Sequence, residues 1–502
     1  MKSNFAQLAF GLLTTVSARP QDLGPVDPES VQCSAEYIND AEHPDLRWDA
    51  AGAGWAYKVA SARWTIDQLS DTPSSLSFTE FIGNLFNSKD LLVCTNMADG
   101  PCQDTMTCDD VNQPAGFLIL NSFVSLHVFR RTVYDSLQGA MNQMQNSMGL
   151  FQDIFSPADT PDSSWLNDVL TVFQFVVGIG SAYSWNIALK GSKLITNSNT
   201  YAFAQESANA AIGLGFTWAK THLPTASEIQ NDLTNSMGNL FQVWIESELE
   251  FLKTLFSGAS DSILTLESLI DKGLALEITR NLDLGGFVNV AQKIMYAKLL
   301  PLAWKTSSVK IKDLPSGPMH PMILMLPDDC DSSNGELTSY VDNEKAENMK
   351  VCHDKHTFFV GFPTWKGVSK SDHISRLVVW ALPGGEHDVL NGADWGGLTL
   401  DDIVISSYEG YRLNDYKNGY SIPENSQIVD GTGSQGSLIM EMGIQTPGFM
   451  SLPICTPQKL ERVSSKWNAN VINGHAIDDL LEQIPCGDGA LTPEEMAAFG
   501  FS

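Results

Sequence analysis

Apolar residues recur every three or four positions through the middle of this chain, and this spacing predicts amphipathic helices. The stretch FLILNSFVSLHVFRRTVYDSLQGAMNQMQNSMGLF predicts one long helix that starts near residue 116. Further helices are predicted at about 163–190, 200–221, 225–256, 260–280 and 286–304. Because the breaks between them are short, neighbouring helices are expected to run antiparallel. We therefore expect a cysteine-free helical bundle over residues 116–305.

Two shorter helices are predicted before this bundle, in the cysteine-containing region 19–115. The first covers LRWDAAGAGWAYKVASARWTIDQL, in which Trp48, Trp55 and Trp64 are large apolar anchors. The second is SFTEFIGNLF, where Ser77 and Glu80 have the spacing of a capping box.

The pattern changes after Lys305 to short β-prone runs bounded by proline, glycine, asparagine or aspartate. The predicted strands are HPMILML, TFFVGF, RLVVWAL, LDDIVIS and SLIMEMGI. A closing helical segment is predicted at about 457–484. The expected fold class is α+β and mostly α, with a large helical bundle and a smaller, disulfide-stapled, sheet-containing C-terminal domain over 306–502.

Residues 1–18 have the pattern of a secretory signal peptide. A basic Lys2 precedes a short apolar run, and Val16-Ser17-Ala18 has small residues at the two positions that signal peptidase inspects. The protein is accordingly expected to be secreted and extracellular, although its sequence contains no Asn-x-Ser/Thr site for N-linked glycans.

Eight cysteines in an exported chain predict disulfide bonds. They are Cys33, Cys94, Cys102, Cys108, Cys330, Cys352, Cys455 and Cys486. Pairing between sequence neighbours predicts Cys330–Cys352 and Cys455–Cys486. The first four allow three connectivities, which the sequence leaves open. Their spacing does not match a zinc site.

The formal net charge of −29 argues against nucleic acid as a partner, because phosphate binding needs a basic face. The same charge disfavours simple electrostatic docking on anionic lipid. No cofactor and no metal are expected. His353, His356, His373 and His387 cluster in sequence, but their spacing does not suit a metal, since residues three apart in an extended segment point to opposite faces.

The uncharged stretch VLTVFQFVVGIGSAYSWNIAL, residues 169–189, is long enough to cross a bilayer. With the uncharged residues 207–219 it predicts either a membrane-inserting hairpin or a helix pair in the core of a bundle. The residues on which this choice depends are Val176, Gly178, Gly180, Gly213 and Gly215. For the buried pair, the glycines would allow two soluble helices to approach closely.

The segment GGEHDVLNGADWGGLTLDD combines carboxylates with an aromatic residue, and four tyrosines follow. A glycosidase needs a pair of carboxylates, and aromatic rings stack on sugars. The catalytic candidates are Glu386, Asp388 and Asp402, and Asp394 and Asp401 lie in the same segment. The carbohydrate-binding candidates are Trp395, Tyr408, Tyr411, Tyr416 and Tyr420. Acidic turn residues are also common in loops that carry no activity.

The stretch DGALTPEEM near the end of the chain matches the second half of a calcium-binding EF-hand loop. The first half of that loop is absent, because Ile484 and Cys486 stand where carboxylates are required. A helix start explains the stretch without a metal, since Thr492 and Glu495 form a capping box with Pro493 at the first helical position. We therefore predict a helix start here.

The segments LPICTPQKLERVSSKW, which closes at IPC, and SSYEGYRLNDYKNGY, together with the export signal and the long cysteine-free middle, resemble a group of secreted fungal proteins of unknown function. This resemblance implies a fungal source and carries over no catalytic residue.

The leading functional hypothesis is a non-enzymatic, secreted interaction or toxin-like protein, membrane-active through its central apolar helices. The alternative is a secreted polysaccharide hydrolase or carbohydrate-binding protein that uses the C-terminal domain. The expected partner is accordingly a membrane or a cell-wall polysaccharide.

Overall fold

A computed structural model describes residues 33, 44–89, 92–97, 102, 104–111, 113–156, 233–277, 284–309, 317–318, 320–327, 330, 340–341, 346–368, 374–420, 443–462, 486 and 490–501. Within these ranges the protein is α+β and mostly α, with a small mixed sheet and four disulfides, so the predicted fold class is confirmed. The predicted signal peptide, segment 169–189, Gly213 and Gly215 lie outside the described residues.

The chain divides into two compact units. The first comprises residues 1–127 and 256–277, and the second comprises residues 128–255 and 278–502. The first unit contains α1 (Pro44–Ala50), α2 (Ala53–Gln68), α3 (Phe78–Leu85), α4 (Cys108–Val111), the start of α5 (Pro114–Phe155) and, from later in the chain, α7 (Ser260–Ile270).

Local signals set the ends of the helices in the first unit. Gly52 separates α1 from α2 with a φ of 62°, a left-handed conformation that glycine adopts at no steric cost. Ser77 and Glu80 form the predicted capping box at the start of α3. The helix predicted at 260–280 is shorter than expected, because Lys272 and Gly273 both adopt positive φ just after α7 ends.

The disulfides resolve the connectivity that the sequence left open. Cys33 pairs with Cys108, and Cys94 pairs with Cys102, both within the first unit. In the second unit, the predicted pairs Cys330–Cys352 and Cys455–Cys486 are confirmed.

The second unit holds the rest of the described helices and strands. Its elements are the remainder of α5, α6 (Leu233–Leu255), α8 (Leu284–Thr306), β1 (Ser308–Val309), β2 (Gly317–Pro318), β3 (Met322–Leu326), α9 (Ala346–Met349), β4 (Lys350–His353), β5 (His356–Val368), β6 (Ile374–Ala381), α10 (Leu400–Leu413), β7 (Ile454–Cys455) and α11 (Pro493–Ala498). The single long helix predicted near residue 116 is confirmed as the 42-residue α5. Of the predicted closing helix, residues 457–462 are described, and they are helical.

The sheet of the second unit is mixed and has the order β4–β5–β3–β7, with β6 on the later half of β5. All pairings are antiparallel except that of β3 with β7. Side chains of the sheet form a buried cluster, to which β3, Phe359 of β5, Val379 of β6 and the Cys455–Cys486 disulfide contribute. The strands predicted at HPMILML, TFFVGF and RLVVWAL are confirmed.

The strand predicted at LDDIVIS was wrong, because these residues lie in helix α10. Thr399 accepts a hydrogen bond from the Asp402 amide, and Asp402 accepts one from the Thr399 amide, so the pair forms a capping box. A short apolar run does not distinguish a buried strand from a helix, and here the capping pair decides the outcome.

Candidate functional site

Helices α5 and α8 and the loop at residues 384–397 enclose a cleft of about 610 Å³ within the second unit. The α5 residues that line the cleft are Gln143 and the residues four, seven and eleven positions after it, and this spacing puts them on one helix face. The lining residues from α5 are Gln143, Ser147, Leu150 and Ile154, and those from α8 are Asn289, Gln292 and Tyr296. The loop adds Asp388 and Trp395 and a run of small residues.

Trp395 forms the aromatic floor of this cleft. Its ring packs edge-on against Phe151, Phe155 and Tyr296, with centroid distances of 5.7, 5.2 and 5.3 Å. The side chain is 8% exposed, so most of the indole stabilises the floor and only a small part meets the cleft. The structure therefore places this predicted carbohydrate residue at a cleft, with limited room to stack on a sugar.

The two glycines after Trp395 hold the loop directly against α8. Gly396 has a φ of 68°, and a β-carbon on it would overlap the backbone of Lys293. Gly397 has a φ of 86°. Both positions require glycine for conformational reasons, and Gly396 also requires it for space. The sequence DWGG is thus the part of the loop that brings Trp395 to the helix.

A hydrogen-bond network joins the two helices beneath the rim of the cleft. The Ser147 hydroxyl lies 2.9 Å from the backbone carbonyl of Gln143, to which it can donate, and 2.6 Å from the Tyr296 hydroxyl, with which it shares a hydrogen bond. Burial raises the pKa of the Tyr296 hydroxyl. Gln292 donates to the side-chain carbonyl of Gln143 at 2.8 Å. These bonds fix the orientation of the amide and hydroxyl groups that line the site.

Several polar groups of the cleft remain available to a ligand. The Gln143 side-chain NH₂ and the whole side chain of the exposed Asn289 have no hydrogen-bond partner among the described residues. Asparagine and glutamine offer both donors and acceptors, which suits a ligand rich in hydroxyl or acetamido groups. Sequence reasoning missed these residues, although Gln143 and Ser147 share a helix face with apolar residues and this was a usable signal.

Two carboxylates lie at the cleft, and one of them was a catalytic candidate. Asp388 is exposed and accepts a hydrogen bond from Asn348 at 3.1 Å. Asp394 is exposed and has no partner among the described residues. The second candidate, Glu386, is half-buried and is not among the residues that line the cleft. The structure therefore brings Asp388 together with Trp395 but leaves Glu386 outside.

The third catalytic candidate, Asp402, has a structural environment. Its side chain is 3% exposed. One oxygen accepts from the Thr399 amide and hydroxyl and from Lys293 at 2.8–2.9 Å, and the other accepts from Gln445 at 2.9 Å. With both oxygens occupied inside the protein, this carboxylate caps α10 and leaves no acceptor for a substrate.

The four candidate tyrosines lie away from the cleft. Tyr408 and Tyr411 are buried, so neither ring presents a face to a sugar. Tyr408 donates to Asp354 at 3.2 Å, and burial raises its pKa. Tyr416 stacks on Phe501 with centroids 4.2 Å apart, and Tyr420 is half-buried. Of the predicted aromatic surface, only Trp395 lines the cleft.

His353 and His356 do not point to opposite faces, as their spacing in an extended segment had predicted. A tight turn with positive φ at Asp354 and Lys355 pairs His353 with His356 across β4 and β5, so both lie on the same face of the sheet. His356 is buried among aromatic rings, and His387 bonds the Lys350 carbonyl at 2.7 Å. His373 lies outside the described residues. Within the described ranges no group of three or more metal-binding side chains converges.

The predicted helix start at the end of the chain is confirmed. Helix α11 begins at Pro493, and Thr492 and Glu495 form its capping box. The Glu495 carboxylate also bonds Thr456 at 3.1 Å and Arg462 at 2.9 Å. The glutamate that an EF-hand would use for calcium is thus occupied by protein groups.

In the part of the chain that the structure describes, no helix combines the length and apolar character needed to cross a membrane. Segment 169–189, with Val176, Gly178 and Gly180, is not part of it, so the membrane hypothesis for that segment stays a prediction.

Comparison with known proteins gives two distant fungal relatives. The chain is 25% identical over 478 residues to the probable chitinase LysM18 of Penicillium expansum. It is 24% identical over 491 residues to the secreted chitinase LysM12 of the same organism. Each alignment covers 86% of this chain. No family model and no solved structure matches the chain.

The chain spans about a third of the length of these relatives, since the alignments cover 32% and 31% of them. The expected relation to secreted fungal proteins is supported at this level. Both relatives carry the name of an activity, so the expectation of a group without a function is not supported.

Proposed function

We propose that this chain is an extracellular polysaccharide-binding protein whose cleft between α5, α8 and residues 384–397 takes a chitin-type sugar chain. The cleft itself carries the proposal. It combines an aromatic floor with the side-chain NH₂ of Gln143, the amide group of Asn289 and the carboxylate of Asp394, for which the described residues offer no side-chain partner, and sugar sites commonly combine these features. The names of the two relatives favour chitin among the polysaccharides, and the name of one favours an extracellular location.

Calorimetric titration with N-acetylglucosamine oligomers of about four to six units tests this proposal. Binding is expected, and cellulose oligomers of equal length should bind less well because they lack acetamido groups for the amide side chains. Gln143→Ala and Asn289→Ala should each weaken binding about two- to tenfold, the effect of one hydrogen bond to a neutral ligand.

Asn142→Ala is the matched control, because Asn142 is exposed on the same helix and does not line the cleft. Equal losses in Asn142→Ala and Gln143→Ala would contradict a site in the cleft. Failure of the wild-type protein to bind any oligomer would contradict the proposed function itself.

Hydrolysis of the bound chain is a second candidate, supported by the position of Asp388 and Asp394 at the same cleft. Glycosidases use two carboxylates, one as the acid and the other as the base or nucleophile. Release of new reducing ends from chitin oligomers would support hydrolysis, and Asp388→Asn and Asp394→Asn should each abolish it while binding persists. Binding without release of reducing ends would show that the protein binds the chain and does not hydrolyse it.

A further inference from the structure

The lining of the cleft is negatively charged. Asp388 and Asp394 both contribute carboxylates to it, whereas none of its lining residues is lysine, arginine or histidine. Both aspartates are exposed to solvent. Among the described residues, the carboxylate of Asp388 meets only the neutral Asn348 amide, and that of Asp394 meets no partner. Within the described ranges, the charge of the cleft is therefore not neutralised by a basic side chain in its lining.

The lysine of α8 that is nearest in sequence to the cleft lining already forms an ion pair within the protein. Lys293 follows the lining residue Gln292, but its ammonium lies 2.8 Å from the buried carboxylate of Asp402. Moving this ammonium into the cleft would leave Asp402 buried without its cation, which is costly. The described lining therefore supplies no cation to Asp388 and Asp394, and a cationic group on a ligand could pair with them.

We infer that the cleft selects polysaccharide chains that carry free amino groups, such as partly deacetylated chitin, over fully acetylated chains and over acidic chains. This inference rests on the proposed function. A glucosamine unit carries an ammonium group where N-acetylglucosamine carries a neutral acetamide. The ammonium can pair with Asp388 or Asp394, while the remaining hydroxyls meet Gln143 and Asn289. A uronic acid chain would place like charges beside the aspartates and is expected to bind poorly.

The test compares glucosamine and N-acetylglucosamine tetramers by calorimetry at about pH 5.5, where an ordinary amine is protonated and an ordinary aspartate is ionised. The glucosamine tetramer should bind more tightly, and its advantage should shrink as salt rises from about 0.05 to 0.5 M, since screening weakens exposed ion pairs. Asp388→Asn and Asp394→Asn should each lower its affinity about two- to fivefold, as expected for exposed pairs. The same two substitutions should weaken binding of the N-acetylglucosamine tetramer less than they weaken binding of the glucosamine tetramer.

The whole protein is acidic, so a non-specific attraction for any polycation needs a control. Asp153→Asn supplies it, because Asp153 is exposed on α5 and does not line the cleft. An equal loss in Asp153→Asn and Asp394→Asn would overturn the inference in favour of general charge. Equal affinity for the two tetramers would also overturn it while leaving the proposed function intact. Binding of neither tetramer would contradict the proposed function.

Discussion

The rings of Trp395 and Tyr296 meet edge to face, with centroids 5.3 Å apart and planes at 81°. Edge-to-face contact is a favoured geometry for aromatic pairs. Through this contact the loop residue Trp395 packs on α8, and the Tyr296 hydroxyl continues the connection to Ser147 on α5. One residue pair thus joins three elements and sets the shape of the cleft floor.

The first prediction concerns the loop that carries Trp395. Gly396→Ala should lower the free energy of unfolding by about 2 kcal/mol or more, because the left-handed backbone resists a side chain and the β-carbon would overlap the Lys293 backbone. Chemical denaturation measures this loss. Gly149→Ala is the contrasting variant: Gly149 lies within helix α5 with open space around it, so alanine should stabilise the protein by about 0.5–1 kcal/mol. Equal effects in the two variants would rule out the tight packing at Gly396.

The second prediction separates a structural carboxylate from a catalytic one. Asp402→Asn should cost about 1–3 kcal/mol of stability, because it weakens the cap of α10 and leaves Lys293 without its charged partner. Thermal unfolding followed by circular dichroism would show the loss. The neighbouring Asp401→Asn should change stability by less than about 0.5 kcal/mol, since no hydrogen bond or ion pair holds its side chain among the described residues. If Asp402→Asn were as stable as the wild type, the capping role would be wrong.

The third prediction concerns the buried ion pair between Arg130 and Glu248 in the second unit. Their side chains lie 2.8 Å apart and are 2% and 3% exposed, and the guanidinium also lies 3.8 Å from the centre of the Phe251 ring. Arg130→Met and Glu248→Met should each cost about 3–5 kcal/mol, because each removes one member of a buried charge pair.

The double variant Arg130→Met/Glu248→Met should lose much less than the sum of the two single losses. A double-mutant cycle from denaturant titrations gives this coupling energy. Additive losses would show that the two charges do not stabilise each other.

The fourth prediction is a pH dependence from His356. Burial lowers the pKa of this imidazole, which lies among the rings of Phe358, Tyr408, Phe499 and Phe501. The charged groups beside it are Asp354, which opposes the shift, and His353, which adds to it. Since the unfolded chain takes up this proton more readily, the stability that His356 contributes is complete above about pH 6.5 and is lost as the pH falls below that value.

His356→Phe should therefore flatten the fall in unfolding free energy between about pH 7 and pH 5. Denaturant titrations of both proteins across this range measure the difference. His353→Phe is the comparison variant, because His353 is partly exposed and its side chain lies 3.3 Å from the Glu409 carboxylate, whereas His356 is buried among aromatic rings. An unchanged pH slope in His356→Phe would show that another group causes the acid sensitivity.

The sequence by itself determined the local structure. The helical period predicted α5, the capping residues Ser77 with Glu80 and Thr492 with Glu495 marked two helix starts, and sequence spacing predicted two of the four disulfides. These features depend on residues close together in the chain, whose hydrogen bonds and burial repeat with the period of the element. The same logic was ambiguous for the short run at 400–406, where the Thr399–Asp402 pair was the missed signal.

Only the tertiary structure decided the cleft. Gln143, Tyr296 and Trp395 are separated by 153 and 99 positions in the chain, and no local period relates them. Their contacts depend on how the face of α5 packs on α8, and on a glycine that lets the loop backbone approach α8. Packing likewise buries Tyr408 and Tyr411 and makes Asp402 the cap of α10, although the clustering of carboxylates and tyrosines in the sequence had predicted all three as site residues. Side-chain type determines what a residue can bind, but the long-range packing determines whether a ligand reaches it.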